Sequence, residues 1–148
     1  MVVVLPNILS RSMGMQKARG HILCVDDHQD TCEMLTALLG LEGYEVIQTN
    51  NIADSLITAT TNDFDLILLD WVLKDGSGIE LCKALASANS NTPILFYSGI
   101  AEKAEMDAAM QAGAQGFLVK PVDLQDLLQS VSRFVDNESG RSQAGKPS

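Results

Sequence analysis

Apolar residues along this chain follow two rhythms. Short unbroken runs alternate with longer stretches in which every third or fourth residue is apolar. His21–Val25 (HILCV), Leu66–Leu69 and Ile94–Tyr97 are runs of the first kind. They show no in-out alternation, as in parallel strands buried on both faces. Tyr44–Gln48 and Gln115–Val119 are predicted as two further strands. Between and after these strands the helical period appears. Helices are predicted over about Gln29–Leu41, from an Asn50 or Asn51 cap to about Thr60, over Ile79–Ala88, over about Glu102–Ala112 and over Leu124–Val135. The inward positions are Leu35, Leu38 and Leu39 in the first helix, Ile52, Leu56 and Ala59 in the second, and Leu81, Cys82 and Leu85 in the third. The last helix repeats best, with Leu124, Leu127, Leu128, Val131 and Val135 on one stripe. Gly43 and Gly113 stand where helices should stop.

Strand-then-helix, five times over, predicts an α/β fold with a parallel sheet covered on both faces and right-handed crossovers. No repeat is present, and 148 residues suit one domain. Residues 1–19 show no convincing period and read as a flexible leader, or as sequence preceding a true start at Met13 or Met15. Residues 20–136 form the predicted domain. The composition of 137–148 turns to Asn, Ser, Gly, Gln and Pro, a disordered tail.

The chemistry lies where the strands end. Strand one ends at Asp26-Asp27, strand three at Asp70, strand four at Ser98 and strand five at Lys120. In a parallel sheet these ends share one edge, where open α/β sheets put their ligands. Three carboxylates gathered there repel one another, and a divalent cation relieves the conflict. Hard oxygen donors suit Mg²⁺. An anion brought to Asp70 would meet the cation, Lys120 and the Ser98 hydroxyl, the surroundings that phosphoryl transfer requires.

Charge and cysteine usage narrow the alternatives. A formal net charge of −9 disfavours direct nucleic-acid binding. Cys24, Cys32 and Cys82 match neither a metal spacing nor a disulfide framework. They read as small buried hydrophobes in a protein of the reducing cytoplasm. No run is long enough for a membrane span or has the form of a signal peptide.

VDD (25–27), LLDWVLKDGSG (68–78), PILFYSG (93–99) and GFLVKP (116–121) together resemble the receiver domain of two-component response regulators, over about His21–Val135. The resemblance implies a flavodoxin-like (βα)5 fold with sheet order 2-1-3-4-5. It implies that Asp70 is the phosphoacceptor, taking the group from a phosphohistidine on a sensor histidine kinase or a histidine phosphotransfer protein. Asp27, Asp70 and the Val72 backbone carbonyl would hold Mg²⁺, with Asp26 acting through bound water. Lys120 would pair with the phosphoryl group and Ser98 would donate to it. Lys120-Pro121 would be cis. Phe117 occupies the place of an aromatic switch coupled to Ser98, with a permanent core position as the lesser alternative.

Two residues depart from the family pattern. Lys74 stands where proline is usual, and Gly99 where alanine is usual. Apolar Val72 and Ile100 flank the site at positions that govern water access in the family, which implies slow loss of the phosphoryl group. The output is expected to be a change of contacts with a protein target. The face bearing Met106, Met110 and Gln115 is the candidate surface, and a homodimer is left open. The protein is not expected to be a turnover enzyme. Two other readings stand beside this one. A receiver-type module could act by interaction alone, never phosphorylated. A Mg²⁺-dependent phosphatase of the haloacid dehalogenase type also uses a strand-end aspartate, but needs a second one two residues later, where this chain has Val72.

Overall fold

The computed structural model describes residues 17–99 and 102–144, with side chains as far as Asp136. Its main sheet contains β1 (Gly20–Val25), β2 (Tyr44–Thr49), β3 (Leu66–Leu69), β6 (Ile94–Ser98) and β7 (Gly116–Val119). All neighbours are parallel, in the order β2-β1-β3-β6-β7. This is the expected 2-1-3-4-5 order once a small hairpin is set aside. That hairpin, β4 (Val72–Leu73) against β5 (Gly76–Ser77), lies in what the sequence presented as plain loop. Helices α1 (Gln29–Leu41), α2 (Ile52–Thr61), α3 (Gly78–Ser87), α4 (Lys103–Ala112) and α5 (Leu124–Ala144) complete the fold.

The two-residue strand period divides the core in two. Ile22, Cys24, Leu66, Leu68 and Leu95 point to one face, against Leu35 and Leu39 of α1 and Leu127, Val131 and Val135 of α5. Leu23, Val25, Ile67, Leu69 and Phe96 point to the other, against Leu81, Cys82 and Leu85 of α3, Ala109 of α4 and the apolar stripe of α2. Each strand run is therefore apolar throughout because both of its faces are covered. All three cysteines are buried and free, as expected.

The helix ends follow local chemistry. Asn51 caps α2, its side chain accepting from Asp54 N at 2.8 Å. Gly113, at φ 119°, ends α4 in the left-handed conformation that side-chain-bearing residues avoid. Helix α5 differs from expectation, running past Val135 to Ala144. From Asp136 to Ala144 there is no proline and only Gly140 opposes the helix, at a cost of about 1 kcal/mol. Propagation therefore continues where composition suggested a disordered tail.

The N-terminal boundary also moves. Arg19, assigned to the leader from sequence, belongs to the fold. Its amide donates to Gly43 O at 2.8 Å, and its guanidinium lies 4.9 Å from the centre of the Tyr44 ring. Ion pairs to Glu42 and Asp136 tie it to the end of α1 and to the middle of α5. The leader over residues 1–16, the alternative starts and residues 145–148 lie outside the described residues. No described helix is long and apolar enough to cross a membrane.

Candidate functional site

The carboxyl ends of β1, β3, β6 and β7 meet at one edge of the sheet. They bring Asp26, Asp27, Asp70, Ser98 and Lys120 together around a cleft of about 390 Å³, lined by His28, Thr31, Asp70, Val72, Ser98, Gly99 and Lys120. The register places them: Val25, Leu69 and Phe96 lie side by side across the sheet, so the residues just beyond share a level. Asp70 N donates to Val25 O at 2.9 Å and Lys120 N to Ser98 O at 2.8 Å, which carries the ladder into the cleft.

Asp26 is almost wholly enclosed, 3% exposed. Its Oδ1 accepts from the His28 amide at 2.8 Å and lies 3.0 Å from His28 Nδ1. Its Oδ2 accepts from Lys120 Nζ at 3.0 Å. Lys120 is only 4.0 Å from Asp70 Oδ1. Lys120 is thus held by Asp26 rather than by Asp70. The reason is burial: Asp26 is the more enclosed carboxylate, and an enclosed charge most needs a close partner.

Asp70 is 7% exposed yet opens on the cleft. Trp71 N donates to its Oδ1 at 2.8 Å. Burial, followed by the charge of Asp26, pushes its carboxyl above the usual carboxylate range, while Lys120, the Trp71 amide and a hydrogen bond with Ser98 pull it back. Asp27 Oδ1 is buried and has no hydrogen-bond partner. An enclosed, donor-starved oxygen beside two more carboxylates is a donor set that fits a hard divalent cation. Asp26, Asp27, His28 and Asp70 each offer an atom within 4.8 Å of the others.

His28 was not singled out from sequence. Its ring stands over the carboxylates, 3.0 Å from Asp26 Oδ1, 3.1 Å from Asp27 Oδ1 and 4.0 Å from Asp70 Oδ2. The hydrogen bond to Asp26, then the Asp26 and Asp27 charges, raise its pKa. The only sequence signal was its place next to the aspartate pair.

The segment after Asp70 is anchored from below. Asp75 accepts from Ile52 N at 2.6 Å and from Ala53 N at 3.3 Å, joining the hairpin to the start of α2. Those amides hold its carboxyl below the usual range. Phe117 stacks on Phe96 at 5.6 Å, and Trp71 stands 5.6 Å from Phe96 and 6.4 Å from Phe117. The aromatic beside Asp70 is thereby in packing contact with the candidate switch residue. Lys120-Pro121 is cis. Val72 is on the rim, about half exposed. Ile100 lies outside the described residues.

The expected contact face is altered by one bond. Met110 is exposed, but Gln115 Oε1 accepts from Ile94 N at 2.7 Å. Its amide oxygen serves β6.

An open parallel sheet with an acidic, lysine-bearing cleft at its switch edge defines the class. The family model for the response regulator receiver domain matches residues 22–132, and the chain belongs to that family. CtrA, the cell cycle transcriptional regulator of Caulobacter vibrioides, is 29% identical over 123 residues, 83% of this chain and 53% of that protein. The transcriptional regulatory protein CusR of Escherichia coli is 34% identical over 110 residues, 74% of this chain and 48% of that protein. The chain thus spans about half the length of these curated relatives. A CheY-like receiver domain protein of Methanospirillum hungatei superposes with a TM-score of 0.77 at 27% identity, covering 82% of this chain and 97% of that one.

Proposed function

We propose that this receiver accepts a phosphoryl group on Asp70 and signals through altered protein contacts. The observation that supports it is the gathering of Asp70, Ser98 and Lys120 on one cleft, with Asp26 and Asp27 each offering an oxygen within 4.8 Å of one from Asp70. The donor is a phosphohistidine of a sensor histidine kinase or histidine phosphotransfer protein. An Asp70 carboxylate oxygen attacks phosphorus, an O–P bond forms, the N–P bond breaks, and the imidazole leaves with the bonding pair. Asp26, Asp27, Asp70 and the Val72 carbonyl would hold Mg²⁺, which supplies positive charge to spread phosphoryl oxygens when bound. Lys120 Nζ, already 4.0 Å from Asp70, needs only a small shift away from Asp26 to meet the new anion. Ser98, 1% exposed and hydrogen-bonded to Asp70, donates its hydroxyl to it.

A groove next to the cleft supports a docking site for the donor. An apolar groove of about 580 Å³ between α1 and α5, floored by Met34, Leu38 and Leu124, shares Thr31 and Lys120 with the cleft. The acceptor form then shifts a two-state equilibrium that Ser98 and Phe117 sense. The site of action is the cytoplasm, without membrane insertion or direct nucleic-acid contact by this domain, and the target is a protein, a second copy of the chain included.

Incubation with acetyl phosphate and Mg²⁺, followed by intact mass measurement, tests this. One stable phosphoryl adduct, absent in Asp70→Ala, is expected. Continuous turnover of acetyl phosphate would instead favour the haloacid dehalogenase-type phosphatase. No adduct would leave an interaction module.

A further inference from the structure

We propose that the His28 imidazole is a ligand for the cation in this cleft, so that the site favours a borderline transition ion over Mg²⁺. This rests on the cation site of the preceding reading and names which cation it takes. Three observations carry it. His28 Nδ1 lies within 3.0–4.0 Å of an oxygen of each of three carboxylates. That nitrogen and one oxygen of each aspartate lie within 4.8 Å of one another, close enough to share one ion. Asp27 Oδ1, enclosed and only 3.1 Å from the ring nitrogen, still has no hydrogen-bond partner. Nδ1 carries at most one proton, which can serve Asp26 or Asp27 but not both. An ion taking the place of that proton would serve Asp26, Asp27 and the ring together, the proton passing to solvent.

The consequence is selectivity. Three carboxylates alone form a hard, all-oxygen set suited to Mg²⁺. An added imidazole gives a mixed nitrogen and oxygen set, for which affinity rises from Mn²⁺ towards Ni²⁺, while Mg²⁺ gains little. His28 is about two-thirds exposed, and its backbone is fixed at the start of α1 by the Asp26 carboxylate. The ring can therefore be removed without opening the core.

The test titrates wild type and His28→Ala with Mg²⁺, Mn²⁺ and Ni²⁺, reading Trp71 fluorescence. Pulsed electron paramagnetic resonance of the Mn²⁺ complex then looks for nitrogen coupling. Expected are a loss of roughly tenfold or more in Ni²⁺ affinity in His28→Ala, less than about twofold for Mg²⁺, and a nitrogen coupling in wild type alone. Equal weakening for all three ions, tighter binding on removing the ring, or no nitrogen coupling overturns the proposal. Acetyl phosphate labelling of Asp70 with Mg²⁺ is scored separately, so this inference can fail while the phosphoacceptor reading stands.

Discussion

Lys120 Nζ lies 3.0 Å from Asp26 Oδ2, a full ångström closer than its 4.0 Å approach to Asp70 Oδ1. The lysine thus has two carboxylates within reach and rests on the deeper one. Tyr97 fixes the ammonium from a third side, its ring centre 5.0 Å from Nζ. Lys120→Ala removes the charged partner of an enclosed carboxylate. It should cost about 1.5–3 kcal/mol in urea unfolding at neutral pH, the range for hydrogen bonds to charged groups. It should also raise the Asp70 carboxyl further, because Lys120 is one of the groups holding it down. Carbon-13 titration of the aspartates reads the second effect, and an unmoved Asp70 would contradict it.

Asp70 gives the fold a pH dependence of definite sign. Burial, then Asp26, raise its native carboxyl above the ordinary value, so the folded chain holds that proton more tightly than the unfolded chain. Above the native value the ionised group weakens the fold. As pH falls through that value the proton is taken up and the weakening fades, until it is gone below the unfolded value. Asp70→Asn should therefore melt higher than wild type at neutral pH. Its advantage should shrink on acidification towards about pH 4, the ordinary aspartate value. Melting curves across that range check it, and an advantage that grows on acidification would contradict it.

The sheet was legible because burial on both faces writes itself as unbroken runs such as Leu66–Leu69. The cleft was legible because polar residues ending those runs had no structural reason to be there. Pairings inside the cleft were not. Whether Lys120 meets Asp26 or Asp70 depends on relative depth, which residue order does not encode. His28 was hidden by its own exposure, since nothing in a helix-start position distinguishes a capping neighbour from a group leaning over three carboxylates. The hairpin at Val72–Ser77 was missed because two-residue strands are too short to show a period. Gln115 was read as surface for the same reason that its amide is useful: a polar side chain at a strand start can bond a neighbouring backbone.

Gly78 fixes the backbone behind Asp70. Its amide donates to Trp71 O at 2.7 Å. An added Cβ would press on the Asp70 carbonyl oxygen and stand 2.7 Å from Phe96 Cε1. Neither neighbour is a flexible side-chain end, so the Asp70 backbone or α3 must move. Gly78→Ala should destabilise the fold by about 1–3 kcal/mol, as overpacking does. It should also weaken cation binding, because Asp70 shifts with its backbone. Urea unfolding and Trp71 fluorescence measure the two together. A change within about 0.5 kcal/mol, as at an open surface site, would show that the contact relaxes freely.

Val72 is expected to set the lifetime of a phosphoryl group placed on Asp70. It stands on the rim of the cleft, 52% exposed, and its side chain has no polar atom with which to orient an attacking water. Its backbone pairs with Ser77, so the side chain is held at the rim by the hairpin. Val72→Asn places a donor and an acceptor there without altering the core. One oriented hydrogen bond of about 1 kcal/mol in the hydrolytic transition state corresponds to a roughly fivefold faster loss. Decay of the acetyl phosphate adduct, followed by intact mass in wild type and variant, gives the ratio directly. Because Val72 is exposed, the variant should unfold at nearly the same urea concentration, which separates an effect on water from an effect on the fold. Equal half-lives would mean that water reaches Asp70 by a route Val72 does not guard, and the apolar rim would then have no part in holding the signal.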